Sequence, residues 1–202
     1  MNYRSTQTAR RDLHEVAAAQ GGYFTAKQAE AIGYGKRHLD YHVKCDNIQR
    51  VGHGLYRLPT VAPSEHDDLI RLSLWSRNRD DEPQAVVSHD TALGVHGLGE
   101  LLPSRVHLTV PVSFRKTAMK GCVLHRGVLT LDDVEQLEGF RVTTPLRTLL
   151  DVSVEASVSR EQLNRIVVQA LHEGLVRKTK LLAALKDHAA RERLAPAVEL
   201  AR

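Results

Sequence analysis

Between residues 36 and 44 the chain reads Lys-Arg-His-Leu-Asp-Tyr-His-Val-Lys, and its donors recur at the spacing of a helix face. At 100° per residue Leu39 and Val43 share one side, while Arg37, Asp40, Tyr41 and Lys44 share the other. Lys36, His38 and His42 lie on the flanks. A helix with few apolar anchors and a row of cationic and phenolic donors suits the major groove of DNA, where base edges offer acceptors to such groups. Downstream, Arg50 and Arg57 bracket Gly52-His53-Gly54, so a hairpin with His53 at its tip would set two guanidiniums and an imidazole against phosphates. Thr25 and Lys27, at the start of a preceding helix, complete the set of candidate phosphate contacts.

Other constellations hold less. His89, His96, His107 and His125, with Asp90, invite a metal, but His89 and His96 are two helical turns apart. One ion does not readily reach both at ~2.0 to 2.1 Å. There is no HExxH and no paired cysteine motif, so the expectation is no metal and no cofactor. Ser88-His89-Asp90 has the residue types of a catalytic triad, yet consecutive residues diverge around a helix start, and a triad converges from separate segments. Ser88 is read instead as a helix N-cap. The glycines of Gly94-Val95-His96-Gly97-Leu98-Gly99 follow a helix rather than a strand, which argues against a dinucleotide loop. Arg147 sits in a helical first turn that could receive an anion, but Asp151 at i+4 makes an ion pair the better reading. No catalytic residue is assigned, and the chain is read as a non-enzyme.

The elements that position the donors are legible in turn. Ala9, Leu13, Val16, Ala17 and Gln20 mark a first helix from about Arg4 to Gln20, stopped by Gly21-Gly22. Thr25 as N-cap, Gln28 as its capping-box partner and Phe24 stapled to Ala29 start a second, with Ala26, Ala29 and Ile32 as a narrow apolar stripe ending at Gly33. After Gly33-Tyr34-Gly35 the third helix runs from Lys36 to about Cys45. Residues 48–51 and 55–58 alternate as hairpin strands. This is a winged helix-turn-helix.

A Pro-containing junction leads to a second set of elements. These are a helix capped by Ser64 with Leu69, Leu72 and Trp75 inside, a strand at Ala85-Val86-Val87, and a helix from Ser88 to Gly97. Strands follow at 106–110, 122–126 and 140–143, then a helix capped by Thr144 with Pro145 in its first turn. Two more helices are expected at about Arg160–Glu173 and Thr179–Ala190. The fold class expected is therefore α+β: a winged helix-turn-helix over 1–60, a mixed α/β domain over 63–190, and a tail over 191–202.

Charge follows the same division. Residues 1–60 carry nine Lys/Arg against five Asp/Glu, so the whole formal excess of +4 lies there, and the remaining residues balance at nineteen of each. A basic module joined to a neutral one points to a polyanion for the first. Hydrophobic residues are 42% and charged residues 26% of the 202, the balance of a soluble globular chain, with no apolar run of the ~18 to 20 residues that spans a bilayer. The start, MNYRSTQTARRDL, has no apolar core of a signal peptide, and Cys45 and Cys122 are read as reduced thiols, so the expected location is the cytoplasm.

The combination resembles the AbiEi family of antitoxins and regulators of type IV toxin–antitoxin and abortive-infection systems. The resemblance rests on the winged helix ending in Gly52-His53-Gly54-Leu55-Tyr56-Arg57, on Val87-Ser88-His89-Asp90-Thr91-Ala92-Leu93-Gly94-Val95-His96-Gly97-Leu98, and on Val142-Thr143-Thr144-Pro145-Leu146-Arg147-Thr148-Leu149-Leu150-Asp151. It implies a repressor that binds double-stranded DNA at its own promoter, an inverted repeat suited to a homodimer. It also implies a nucleotidyltransferase-like toxin as functional partner, countered without a stable complex. Two other functions fit the residues: a non-catalytic DNA-binding subunit of a nucleic-acid-processing enzyme, and a protein-interaction winged helix. The basic third helix weighs against the latter, and the lack of converging carboxylates weighs against catalysis in this chain.

Overall fold

The computed structural model describes residues 6–99, 104–155, 158–185 and 190–200. The protein is α+β and forms two compact units, residues 1–85 with 136–140, and residues 86–135 with 141–202. The first unit thus extends well past residue 60.

The first unit opens with α1 (Thr6–Ala18), whose Ala9, Leu13 and Ala17 are buried as their spacing predicts. The part of this helix expected before residue 6 lies outside the described residues. The turn after α1 needs glycine. Gly21 has φ +59°, and a Cβ there would stand 2.7 Å from Ile70 Cδ1. Thr25 then has two roles. It ends β1 (Tyr23–Thr25) and caps α2 (Ala26–Ala31) through the expected capping box with Gln28. A three-residue strand is too short to show period-two alternation, so β1 is a finding of the structure. It forms one edge of a three-stranded antiparallel sheet of order β1-β3-β2, with β2 at Gln49–Gly52 and β3 at Leu55–Arg57. Phe24 faces Tyr56 in this register and their rings stack at 5.7 Å. Helix α3 (Lys36–Lys44) lies over this core through Leu39.

Helix α4 (Asp67–Trp75) belongs to the same unit. Tyr23 donates its hydroxyl to Asp67 at 3.0 Å, and burial together with that carboxylate raises the phenol above its ordinary range. Ser64 does not cap α4 as expected. The cap position is His66, and Ser64 Oγ accepts from the His66 N–H while its own N–H donates to Asp67. Behind the sheet, Gln20 and Gln28 exchange amide hydrogen bonds at 3.1 and 3.3 Å, and Arg77 donates to Gln20 Oε1 at 3.0 Å.

The second unit holds most of a five-stranded sheet of order β6-β5-β4-β8-β7, with β4 at Val86–Val87, β5 at Val106–Val110, β6 at Cys122–Arg126, β7 at Val134–Leu137 and β8 at Phe140–Thr143. β4 runs antiparallel to β5 and parallel to β8, and β5 and β6 are parallel. Helix α5 (His89–Val95) follows β4, and helices α6 (Pro145–Val154), α7 (Arg160–His172), α8 (Lys178–Ala184) and α9 (Arg191–Leu200) form a core around Leu149, Leu163, Ile166, Leu181 and Leu194. Thr144 caps α6 with Pro145 in its first turn, and Arg147 pairs with Asp151 at 2.8 Å, both as the sequence suggests. The segment read as a tail contains α9, whose Leu194, Ala197 and Val198 are buried. Ser88 takes the cap position of α5 without a side-chain cap bond, because its hydroxyl accepts from Thr109 at 2.9 Å and meets His89 Nδ1 at 2.9 Å. Of the helix expected to reach Ala190, residues 186–189 lie outside the described ones. The cysteines are free, and burial raises the Cys122 thiol.

Thr25→Ala is expected to cost about 0.5 to 2 kcal/mol, the loss of one cap. Gln20→Ala is expected to cost more, because each buried partner it strands adds about 1 to 3 kcal/mol. Urea unfolding followed by the single tryptophan, Trp75, reports this unit. A Gln20→Ala variant as stable as Thr25→Ala would show that the amide pair is not structural.

Candidate nucleic-acid interface

The candidate interface is built on α3. Gly35 caps it with backbone only, so its first N–H groups are not blocked by a side chain. Leu39 is 3% exposed and sits in the core with Tyr34, Ile48 and Tyr56. Val43 packs half-buried beside it. On the other side Lys36, Arg37, Asp40 and Lys44 are exposed, and Tyr41 is 61% exposed. The face expected to meet base edges is therefore the face turned to solvent.

The flank is aromatic. Tyr34, buried in the turn before α3, lies 5.1 Å from the His38 ring and 5.6 Å from the His42 ring, and Tyr41 meets His42 edge-on at 5.3 Å. Burial lowers the His42 pKa, with further contributions from His38 and Arg10, which disfavours the charged form of this imidazole. Burial raises the Tyr34 phenol in turn. Arg10, exposed on α1, thus brings its positive charge to this flank, a residue that sequence reasoning passed over. Its signal was the Arg10-Arg11 pair on the outward side of the first helix.

The wing is the β2–β3 hairpin. His53 is exposed at its tip beside Gly54 (φ +65°), and Gly54 O accepts from Ala26 N at 2.9 Å, which ties the tip to the start of α2. Arg50 is exposed opposite Tyr56. Arg57 departs from the expectation of a phosphate contact. Its guanidinium donates to Val61 O at 2.8 Å and lies 5.7 Å from the centre of the Tyr23 ring, so it braces the exit from the sheet. Thr25 is half-buried and its Oγ accepts the Gln28 N–H. Lys27 is exposed and reaches the carbonyl of Arg79 at 3.0 Å.

A second concentration of titratable groups lies in the other unit. His89 opens α5 in a left-handed backbone conformation (φ 53°), rare for a residue with a Cβ. Its ring stacks on that of His125, centroids 3.6 Å apart, and His107 Nδ1 lies 3.0 Å from His125 Nε2. Glu155 Oε1, just after α6, is 3.8 Å from His89 Nε2 and 3.6 Å from His125 Nδ1. His89, 6% exposed, has its pKa lowered to about 3 by burial and then by His125, His107 and Arg147. His125 is lowered by burial and His107, against the pull of Glu155 and Asp90. His96 stands apart, with Nε2 2.7 Å from the Thr143 carbonyl. Helical spacing keeps His89 and His96 apart, and the parallel β5–β6 pairing brings His107 and His125 to His89 instead.

Residues 11–59 match the family model described as transcriptional regulator, AbiEi antitoxin. The matched stretch runs from within α1 through β3 and contains every candidate DNA contact from Thr25 to Arg57. No curated protein matches the chain.

Arg37→Ala is expected to remove about 1 to 3 kcal/mol of specific DNA binding while leaving the melting temperature nearly unchanged, as Ala suits an exposed helix position. Leu39→Ala opens a cavity and is expected to cost about 2 to 5 kcal/mol of stability. Gel shift and thermal melting on both variants check the assignment. Early melting of Arg37→Ala, or a stable Leu39→Ala that no longer binds, would mean that α3 presents a different face.

Proposed function

We propose that the protein is a DNA-binding transcriptional regulator of the antitoxin kind that represses its own promoter. The observation that carries this reading is the exposed row of Arg37, Tyr41 and Lys44 on α3, held from behind by Leu39, within the stretch that matches the AbiEi regulators. A helix seated through one apolar anchor can present its outer face to the major groove without unfolding. In this reading Arg37, Tyr41 and Lys44 read base edges, with Lys36, His38 and His42 at the groove margins. Arg50 and His53 on the wing, and Thr25 and Lys27 at the start of α2, lie against phosphates. Arg57 supports the wing instead of contacting DNA. A homodimer would place two such helices on an inverted repeat one helical turn apart, ~34 to 36 Å. The second unit sets that dimer or carries the neutralising activity towards a nucleotidyltransferase-like toxin, whose effect is countered without a stable complex. Among the described residues no helix is long and apolar enough to cross a membrane.

Fluorescence anisotropy with the DNA upstream of the gene tests the proposal. Upstream DNA is expected to bind at least ~10³-fold tighter than unrelated DNA at physiological salt. Log affinity is expected to fall linearly with log salt, as phosphate contacts release counterions. Lys44→Ala is expected to weaken binding, and a variant whose salt slope drops by about one marks a phosphate contact in place of a base contact. Equal affinity for upstream and unrelated DNA would remove the regulator reading, and absence of binding to any DNA would remove the interface itself.

A further inference from the structure

The histidine cluster of the second unit is not used by the DNA-binding reading, and its geometry has a specific chemical consequence. Each ring has one nitrogen turned to a fixed partner. His89 Nδ1 is 2.9 Å from Ser88 Oγ, and His125 Nε2 is 3.0 Å from His107 Nδ1. When those two ring nitrogens carry the protons, the remaining ones, His89 Nε2 and His125 Nδ1, keep their lone pairs and lie beside the Glu155 carboxylate. At 3.8 and 3.6 Å from Glu155 Oε1, neither is close enough for a hydrogen bond.

An ion shared by all three requires the stacked His89 and His125 rings, centroids 3.6 Å apart, to open, because two imidazoles on one tetrahedral ion hold their centroids roughly 5 Å apart. Ligands bound at ~2.0 to 2.2 Å around a tetrahedral centre stand roughly 3.3 to 3.6 Å from one another. The three ligand atoms here all lie within 4.8 Å of one another. The outer partners have the arrangement that metal-bound histidines use, in which the second ring nitrogen is hydrogen-bonded and so fixes tautomer and ring direction. Ser88 is itself held by Thr109, and the Glu155 backbone is held by Arg193 of α9, which donates to the carbonyls of Ser153 and Glu155. The left-handed His89 backbone is what turns its ring onto His125 rather than along the helix surface.

We propose that the second unit binds one divalent transition-metal ion of the zinc class through His89 Nε2, His125 Nδ1 and Glu155 Oε1, with Ser88 and His107 orienting the two imidazoles. Two nitrogens and one carboxylate oxygen favour zinc and its first-row neighbours over calcium or magnesium, which take oxygen ligands. Three protein ligands leave the fourth tetrahedral position for water or a further ligand. The Glu155 side chain, 37% exposed, provides the side from which an ion enters.

The test uses the full chain, purified without a polyhistidine tag and stripped with chelator. Zinc is titrated in competition with a chromophoric chelator, and cobalt(II) is added separately to read the tetrahedral absorption bands. The expected result is one zinc per chain, tetrahedral cobalt bands, and a zinc-dependent rise in melting temperature. His125→Gln and Glu155→Gln are each expected to weaken zinc more than tenfold, and His107→Gln to weaken it about 10- to 100-fold through the second nitrogen of His125. His172→Gln, on the exposed last turn of α7, serves as control and is expected to bind as the parent does. Circular dichroism establishes that each variant is folded. No zinc binding by the folded parent chain overturns the proposal. So does stoichiometric zinc that survives both His125→Gln and Glu155→Gln, since the ion would then lie elsewhere.

Discussion

The first unit depends on one part-buried amide pair. Gln20, at the end of the α1 turn, and Gln28, in the first turn of α2, each donate to the other's carbonyl oxygen. Gln28 Oε1 also accepts the Thr25 N–H, which closes the capping box. Gln20 bonds the carbonyls of Val16 and Tyr23 and accepts from Arg77 beyond α4. A polar side chain this deeply placed is tolerated because its donors and acceptors are engaged, and an incomplete set would be costly. The pair therefore fixes where α2 begins relative to α1. Since α3 follows α2 after a turn of only a few residues, it also governs where the exposed row of α3 is held.

That dependence explains why α3 manages with so little apolar anchorage. Leu39 is its one fully buried side chain, with Val43 and the ring of Tyr34 beside it. The sheet beneath is held by the Phe24–Tyr56 stack and by Arg57, whose guanidinium bridges the Val61 carbonyl and the Tyr23 ring. A cation that looks available in the sequence is thus consumed by the scaffold. On α3 and the wing, Lys36, Arg37, Lys44 and Arg50 remain exposed.

In the second unit the governing constraint is burial of ionisable rings. Desolvation and the repulsion of neighbouring imidazoles lower the pKa of His89 and His125 and so disfavour their charged forms. Neutral imidazoles are ligands and hydrogen-bonding groups rather than cations. The cluster needs four segments: the start of α5, the parallel strands β5 and β6, and the residue after α6. Helix α9 contributes from a distance in sequence, through Arg193.

What the sequence determined by itself was local. The Thr25–Gln28 capping box, the outward face of α3, the glycine-tipped hairpin, the Thr144-Pro145 helix start and the Arg147–Asp151 pair each involve residues close together in the chain. Helical and strand periodicities report that range directly. What the tertiary structure decided is everything set by partners distant in the chain. Strand β1 exists because β3 pairs with it, and Ser88, at the cap position of α5, makes no side-chain cap bond because Thr109, 21 residues on, engages its hydroxyl. Arg57 turns inward because the Tyr23 ring and Val61 carbonyl are there to receive it. Helix α9 forms because the second unit's core buries Leu194 and Val198, although its own Pro196 argues against a helix. The imidazoles of His107 and His125 meet because their strands lie side by side, a proximity that leaves no period in the sequence.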